Sequence, residues 1–330
     1  MPNTIHNDDA EIKVCVSVLN WNNWKQTINC ISSVLLSDYP HFEIAIVDNA
    51  SIDDSVVRIR AAYPTMALIC AHENLGYAAG NRLALDYAQK QDADLFWILN
   101  NDCTVEHDTL SLLVESFRQH GAALYGSTPL LTAGDVTRPG LKSYGLNRNG
   151  QPDLTNVLPW NKMTLEQYQS VVKEQRVANL NGASLLIPLA IIKTYGFLNE
   201  RFFMYWEDIE YCLRMAREGI PSIIVPRSFV HHSKIGSYRE NPGIGAILSN
   251  YYSTRNKLVV LRGYVGTKHY LAIASNELKR LFYKVSQWAK QCIINRRLMP
   301  PPLSTRLYAA GISDGLLGRL GKVYRPEDFL

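Results

Sequence analysis

The apolar positions of the first hundred residues follow two alternating rhythms. Short runs at residues 13–19, 42–47, 66–70 and 95–99 are rich in Val, Ile and Leu, the pattern of strands buried on both faces. Between them, residues 24–36, 54–62 and 79–89 carry apolar side chains at helical spacing. Strand, helix and strand in that alternation predict βαβ units, and so a mainly parallel central sheet flanked by helices. Each run ends in a polar cluster: Asn20-Trp21-Asn22, Asp48-Asn49-Ala50-Ser51 and Asn100-Asn101-Asp102. Ligands of open parallel sheets bind beyond the carboxyl ends of the strands, so these clusters are expected to share one crevice.

The rhythm then changes. Residues 133–173 are rich in Gly, Pro and Asn and lose the hydrophobic period, which predicts a hairpin and long loops of the substrate-loop or lid kind. Order returns at residues 177–187. A helical pattern over 206–217 is stopped by Gly219 and Pro221, and a short strand at 222–225 follows. Beyond Gly243 the pattern is helical, broken at Pro300, Pro301 and Pro302. The expected organisation is a polar tail (1–11), an α/β domain (12–242) and a helical extension (243–330).

A length of 330 residues with 47% hydrophobic and 19% charged side chains is that of a globular chain with a sizeable core. The net charge of +4 says little by itself, but between Arg255 and Arg306 the one acid is Glu277 among many Lys and Arg. Such a basic stretch suits an anionic surface. The six cysteines are scattered without a CxxC pair, as for reduced thiols in a cytosolic protein rather than for a zinc site or disulfide framework. Residues 1–11 lack the basic and apolar regions of a signal peptide, and no apolar run approaches the roughly 20 residues of a membrane span. These features point to the cytoplasm, with any membrane contact peripheral and no nucleic acid partner.

Several segments carry candidate chemistry. Asp48 can accept a hydrogen bond from the ring N–H of a pyrimidine, or simply serve as a turn or cap. Residues 74–81 form a small-residue loop opening into a helix, which can turn backbone N–H groups toward a diphosphate or be a tight connection. Asp102, at a rigid strand end with Asn100 and Asn101 beside it, suits Mn²⁺ or Mg²⁺, or alternatively caps the next helix. Glu207, Asp208 and Glu210 follow the aromatic run Phe202 to Trp206, where partial desolvation raises the basicity of a carboxylate. Asp208 is taken as the general base and Glu207 as its substitute. In the His231-His232 pair an imidazole can complete a metal site, and Lys234 or Ser237 can meet a diphosphate. The same pair can equally be structural.

Taken together and in order, these segments resemble the family 2 glycosyltransferases of the GT-A fold, particularly the rhamnosyltransferase-like branch that builds O-antigen and other bacterial cell-surface polysaccharides. The likeness runs from about Lys13 to Asn256. It includes 18–22, 47–51, 73–77, 99–102, 181–184, Glu207-Asp208, 232–237 and Arg255-Asn256. It implies a nucleotide-sugar-binding fold, a dTDP- or UDP-linked sugar donor, and a glycan or lipid-linked acceptor. The implied reaction is an inverting transfer with Asp208 as base and Asp102 and His232 on the metal. The nucleotide contacts are expected among Asn20, Asp48, Asn49, Ser51, Asn74, Gly76, Asn81, Asn101 and Ser237. The chain departs from the family's Asp-x-Asp by placing Asn100 first, and of the two histidines His232 has the better spacing to Ser237.

Three rivals are weighed against this. A sugar-1-phosphate nucleotidyltransferase needs a basic Gly-rich loop after the first strand, and a dinucleotide oxidoreductase needs GxGxxG there; the chain has neither. A non-catalytic carbohydrate-binding protein keeps the fold without the chemistry. In the extension, Leu278, Leu281, Phe282, Val285, Trp288 and Cys292 recur at helical spacing beside Lys279, Arg280, Lys284 and Lys290. That stripe fits an anionic membrane, packing on the domain, or a homodimer.

Overall fold

The computed structural model describes residues 11–133, 136–140, 143–232 and 242–324. Ser237 and Lys234 lie outside the described residues. In chain order the elements are β1 (Val14–Asn20), α1 (Trp24–Val34), β2 (Phe42–Asp48), α2 (Ser55–Ala62), β3 (Ala67–Cys70), α3 (Gly76–Lys90), β4 (Leu95–Asn100), β5 (Cys103–Val105) and α4 (Thr109–His120). There follow β6 (Leu124–Ala133), β7 (Val136–Pro139), β8 (Tyr144–Leu146), β9 (Pro152–Val157), α5 (Leu165–Val171), β10 (Gln175–Val177), β11 (Ser184–Pro188) and α6 (Leu189–Tyr195). The chain closes with α7 (Glu207–Arg217), β12 (Ser222–His232), α8 (Pro242–Tyr264), α9 (Thr267–Ile294) and α10 (Leu303–Leu317).

The chain divides into two compact units. One holds the described residues up to Leu75, Ala79–Leu198 and Tyr211 to His232; the second holds Gly76–Ala78, Asn199–Glu210 and the described residues from 242 onward. The first unit is built on one sheet of order β10-β12-β6-β11-β4-β1-β2-β3, with β5 on β12 and β7 on β6. Its β3-β2-β1-β4 portion is parallel, as the alternating rhythms predicted. The remainder is mixed, because β11 runs antiparallel to both β4 and β6 while β6 and β12 are parallel. The stretch predicted as one ordered segment at 177–187 is two strands, β10 and β11, with a polar turn between them. The short strand predicted at 222–225 extends to His232, since β12 continues along β6 and then pairs with β5.

Register brings the strand ends together. Asn20 lies opposite Asp48, and Leu19 opposite Asn100. Order 3-2-1-4 reverses direction between β1 and β4, and such a switch point opens a crevice beyond the strand ends. Beneath it, Val14, Val16 and Val18 of β1 and Ile44 and Ile46 of β2 pack with Cys30, Ile31 and Val34 of α1 in one continuous core.

The second unit is an assembly of α8, α9 and α10. Close approach of α10 to α8 is possible because Gly311 and Gly315 face it: a Cβ at Gly311 would stand 2.7 Å from Tyr251 O, and one at Gly315 2.9 Å from Arg255 O. Glu277 of α9 ties the helices through Lys257 of α8 and Tyr308 of α10. Among the described residues no helix is long and apolar enough to cross a membrane.

Candidate active site

In the first unit the strand-end residues form a connected polar network. Asn20, fully buried at the end of β1, donates through Nδ2 to Asp48 Oδ2 at 2.8 Å and to Ser51 Oγ at 3.1 Å. Its Oδ1 accepts from Thr27 Oγ1 at 2.6 Å, and that hydroxyl in turn accepts from Asn101 Nδ2 at 2.9 Å. Asp48 is 1% exposed, and its Oδ1 accepts the Ser51 N–H at 2.9 Å. With two lone pairs on each oxygen it retains acceptor capacity. The flanking loops hold Asn22 at φ 51° and Ala50 at φ 61°, left-handed backbone that persists only where neighbours over-determine it.

The 74–81 loop divides between roles. Asn49 donates to Asn74 Oδ1 at 3.1 Å and accepts the Leu75 N–H at 2.9 Å, fastening the loop to the end of β2. Asn81 is fully buried and accepts from Ser17 Oγ at 2.7 Å, which ties α3 to β1. Thr27, which links Asn20 to Asn101, was not anticipated from sequence; a Thr inside a helix gives no signal of its partners.

Asp102 and His232 meet across β5 and β12. Cys103 pairs with His232 and Thr104 with His231, so successive side chains of the pair turn to opposite faces. His231 accordingly pairs with Glu106, Nε2 to Oε1 at 3.1 Å, while His232 Nε2 lies 3.4 Å from Asp102 Oδ1. Burial pushes the Asp102 carboxyl up from its ordinary value, and the His232 charge pulls it back. A cleft of about 430 Å³, lined by Gln26, Asn101, Asp102, Thr132 and both His231 and His232, opens here.

The donor set fits a divalent cation. Asp102 Oδ1 and Asn100 Oδ1 are both buried and make no hydrogen bond among the described residues, which is costly unless a ligand satisfies them. Ligand atoms of Asp102, Cys103 and His232 lie within 4.8 Å of one another. The Cys103 thiol, however, sits in the hydrophobic core, where burial drives its pKa well up. A neutral buried thiol is a poor ligand for a hard ion, which leaves the carboxylate and the imidazole.

In the second unit, the segment ahead of α7 begins with Asn199, whose side chain accepts from the Arg201 N–H, and a 3₁₀ turn Glu200–Phe202. Phe203, Tyr205 and Trp206 then adopt φ of 67°, 65° and 73°. Gly76 packs against this turn so closely that a Cβ would stand 2.3 Å from Phe203 O, and at φ 79° it tolerates no side chain. The first turn of α7 presents Glu207 and Asp208 in unequal surroundings. Glu207 is 6% exposed, its Oε2 has no hydrogen-bond partner among the described residues, and burial, reinforced by the Asp208 charge, pushes its pKa up to about 8. Asp208 is only partly buried and accepts the Ile209 N–H at 2.8 Å. Burial thus sets the Glu207 carboxyl apart from its more exposed neighbour.

Known proteins are similar to this chain. The archaeal "Low-salt glycan biosynthesis hexosyltransferase Agl10" of Haloferax volcanii is 27% identical over 187 residues, 54% of this chain and 54% of the relative. The "N-acetylglucosaminyl-diphospho-decaprenol L-rhamnosyltransferase" of Mycobacterium tuberculosis is 26% identical over 224 residues, covering 64% of this chain and 73% of the relative. The chain therefore spans about half the length of the first relative and nearly three quarters of the second. Among solved structures, the mannosyltransferase PcManGT from Pyrobaculum calidifontis in complex with GDP-Man and Mn²⁺ superposes with a TM-score of 0.54 at 14% identity, over 94% of this chain and 88% of that one. GalNAc-T7 with UDP, GalNAc and Mn²⁺ gives 0.56 at 14% identity, over 93% of this chain and 55% of its own. These likenesses establish the GT-A type of fold. The family model "Glycosyl transferase family 2" matches residues 14–175, from the start of β1 to the start of β10. Over those residues the chain resembles glycosyl transferase family 2.

Proposed function

We propose that this protein is an inverting glycosyltransferase that moves a sugar, rhamnose being one candidate, from a dTDP- or UDP-linked donor to a saccharide or lipid-linked acceptor in cell-surface polysaccharide synthesis. The observation that carries the reading is the Asp102–His232 pair lining a cleft at the strand ends of the region that matches family 2. Asp48, buried with acceptor capacity to spare, is assigned to the pyrimidine ring N–H. Asp102 and His232, with Asn100 beside them, would hold Mn²⁺ or Mg²⁺. A cation bound there would neutralise charge on the departing nucleoside diphosphate. Asp208 accepts the proton of the acceptor hydroxyl as its oxygen bonds to the anomeric carbon, and the bond from that carbon to the diphosphate oxygen breaks. Glu207, its carboxyl pushed up to about 8 by burial, keeps its proton near neutral pH rather than competing as base. The lipid-diphosphate acceptor in the mycobacterial relative's name supports an acceptor of that class.

A thermal-shift screen of nucleoside diphosphates, with and without Mn²⁺, tests the donor assignment. dTDP or UDP is expected to stabilise more than GDP, and only with the cation. A purine preference would overturn the role of Asp48.

The reading extends to where the protein works, on the cytoplasmic face of a membrane. On α9, Leu271, Leu278, Phe282, Val285 and Ile293 are exposed along one side, bordered by exposed Lys268, Lys279 and Lys290. The one acid of that helix, Glu277, is buried. A second copy meeting this face two-fold would oppose equal positive charge, whereas an anionic bilayer complements it. Flotation with vesicles containing anionic lipid is expected, and loss of it in Phe282→Glu; flotation equal on neutral vesicles, or a concentration-dependent dimer abolished by the same change, contradicts the membrane assignment.

A further inference from the structure

The segment that leads into α7 is held by an unusual set of donors. Phe203 O accepts the Tyr77 N–H at 2.6 Å. Phe202 O, Met204 O and Tyr205 O all accept from Nδ2 of Asn256, at 3.1, 2.8 and 2.7 Å. An amide NH₂ has only two hydrogens, so one is shared between carbonyls. Phe202 O also receives Nη2 of Arg255 at 2.9 Å. Four consecutive carbonyls are thus turned onto donors, three of them by a single side chain of α8.

The orientation of that side chain is itself fixed. Nε of Arg255 donates to Oδ1 of Asn256 at 2.8 Å, which leaves the amide nitrogen, not the oxygen, facing the loop. Arg255 is 0% exposed, lies 4.8 Å from the Tyr252 ring centroid, and through Nη1 holds Gly321 O at 2.6 Å. A buried guanidinium committed to carbonyls and rings in this way is a rigid support.

What the clamp holds is a conformation the chain does not favour. Left-handed backbone at Phe203, Tyr205 and Trp206 is unfavourable for these residues and persists only where surrounding contacts impose it. Glu207 follows the last of these residues directly, and Asp208 is one further on. The direction in which α7 presents its first turn is therefore set by the clamped loop.

We propose that Asn256, oriented by Arg255, is the positioning residue that aims Asp208 at the acceptor hydroxyl. The inference rests on the assignment of Asp208 as base, and a double-mutant cycle separates the two. Asn256→Asp keeps the side-chain shape but removes both N–H groups and sets a carboxylate oxygen against the carbonyls. Misaiming a catalytic group by about 1 Å costs on the order of 10²-fold, so kcat is expected to fall about that far. Donor KM and the Mn²⁺-dependent thermal shift with dTDP or UDP should stay within about 3-fold of wild type, a split that a general loss of folding would not give. Combined with Asp208→Asn, the change should cost nothing further, because its effect passes through a base already removed.

Multiplicative losses in the double variant overturn the proposal. So does an Asn256→Asp enzyme whose turnover per donor-binding site equals the wild type's. Near-normal turnover in Asp208→Asn alone is the separate failure of the base assignment. Should Asn256→Asp show no donor-dependent thermal shift, Asn256→Ser, which keeps one donor, carries the same cycle with an expected loss of about 10-fold.

Discussion

The two carboxyl sites of this molecule begin from the same physics and meet opposite neighbours. Asp102 and Glu207 are both buried, and burial raises the pKa of each. Their neighbours then diverge: His232 beside Asp102 favours the charged carboxylate, while Asp208 beside Glu207 opposes it. The first arrangement suits the proposed cation site, and the second favours a proton on Glu207. Support differs as well. Asp102 stands at the end of a paired strand, where the sheet supplies rigidity; Asp208 follows a strained loop whose shape is imposed by Asn256 and Arg255. A site on a sheet edge inherits its precision, and a site on a loop must be given it by side chains.

The contrast can be broken from either side. The largest effect is expected at the cation corner: Asp102→Ala should lower turnover by about 10²–10³-fold or more, since transition-state charge loses its partner. The same variant should lose the Mn²⁺-dependent part of the nucleotide thermal shift. Full activity in chelator would exclude Asp102 and His232 as required ligands. A smaller effect is expected from His232→Gln, about 10–100-fold in apparent cation affinity, read by titrating Mn²⁺ against that shift. Smaller again is Glu207→Gln, in which turnover should fall by less than about 10-fold, because Gln preserves the hydrogen-bonding form that the protonated Glu already has. A loss there matching that of Asp208→Asn would exchange the two roles.

The same carboxyl gives a stability test. Its folded pKa of about 8 lies above the ordinary value of 4.5, so between those limits the folded state binds the extra proton. Stability is therefore fully present below the lower value and declines as pH rises toward 8, by at most about 1.4 kcal/mol per pH unit. Thermal midpoints at pH 5 and pH 8 should differ more in wild type than in Glu207→Gln. Equal differences would show that Glu207 ionises normally.

Sequence carried the first unit further than the second. Alternating periods gave β1 to β4 and their helices nearly to the residue, because a strand buried on both faces has no choice but to be apolar. The polar clusters at residues 20, 48 and 100–102 were legible for the same reason, as interruptions of an apolar run. Sequence could not choose between His231 and His232 by chemistry; strand pairing with Cys103 and Thr104 sends only His232 to Asp102. Nor could it see that Asn81 faces Ser17, since an Asn that binds a ligand and one that ties a helix to a strand are spelled alike. The clamp was hidden most completely. Arg255-Asn256 stands out as a dipeptide of α8, but its partners are backbone carbonyls some 50 residues earlier, and carbonyls carry no sequence signal. The left-handed backbone at Phe203, Tyr205 and Trp206 runs against the propensity of aromatic residues, which is why no local rule anticipates it.

Turnover of Asp208→Asn, set beside the Mn²⁺-dependent thermal shift given by the same variant with dTDP or UDP, tests the central claim most directly. The account predicts a shift equal to the wild type's and sugar transfer lower by about 10²–10⁴-fold. Transfer at the wild-type rate by a variant that binds its nucleotide normally would contradict it.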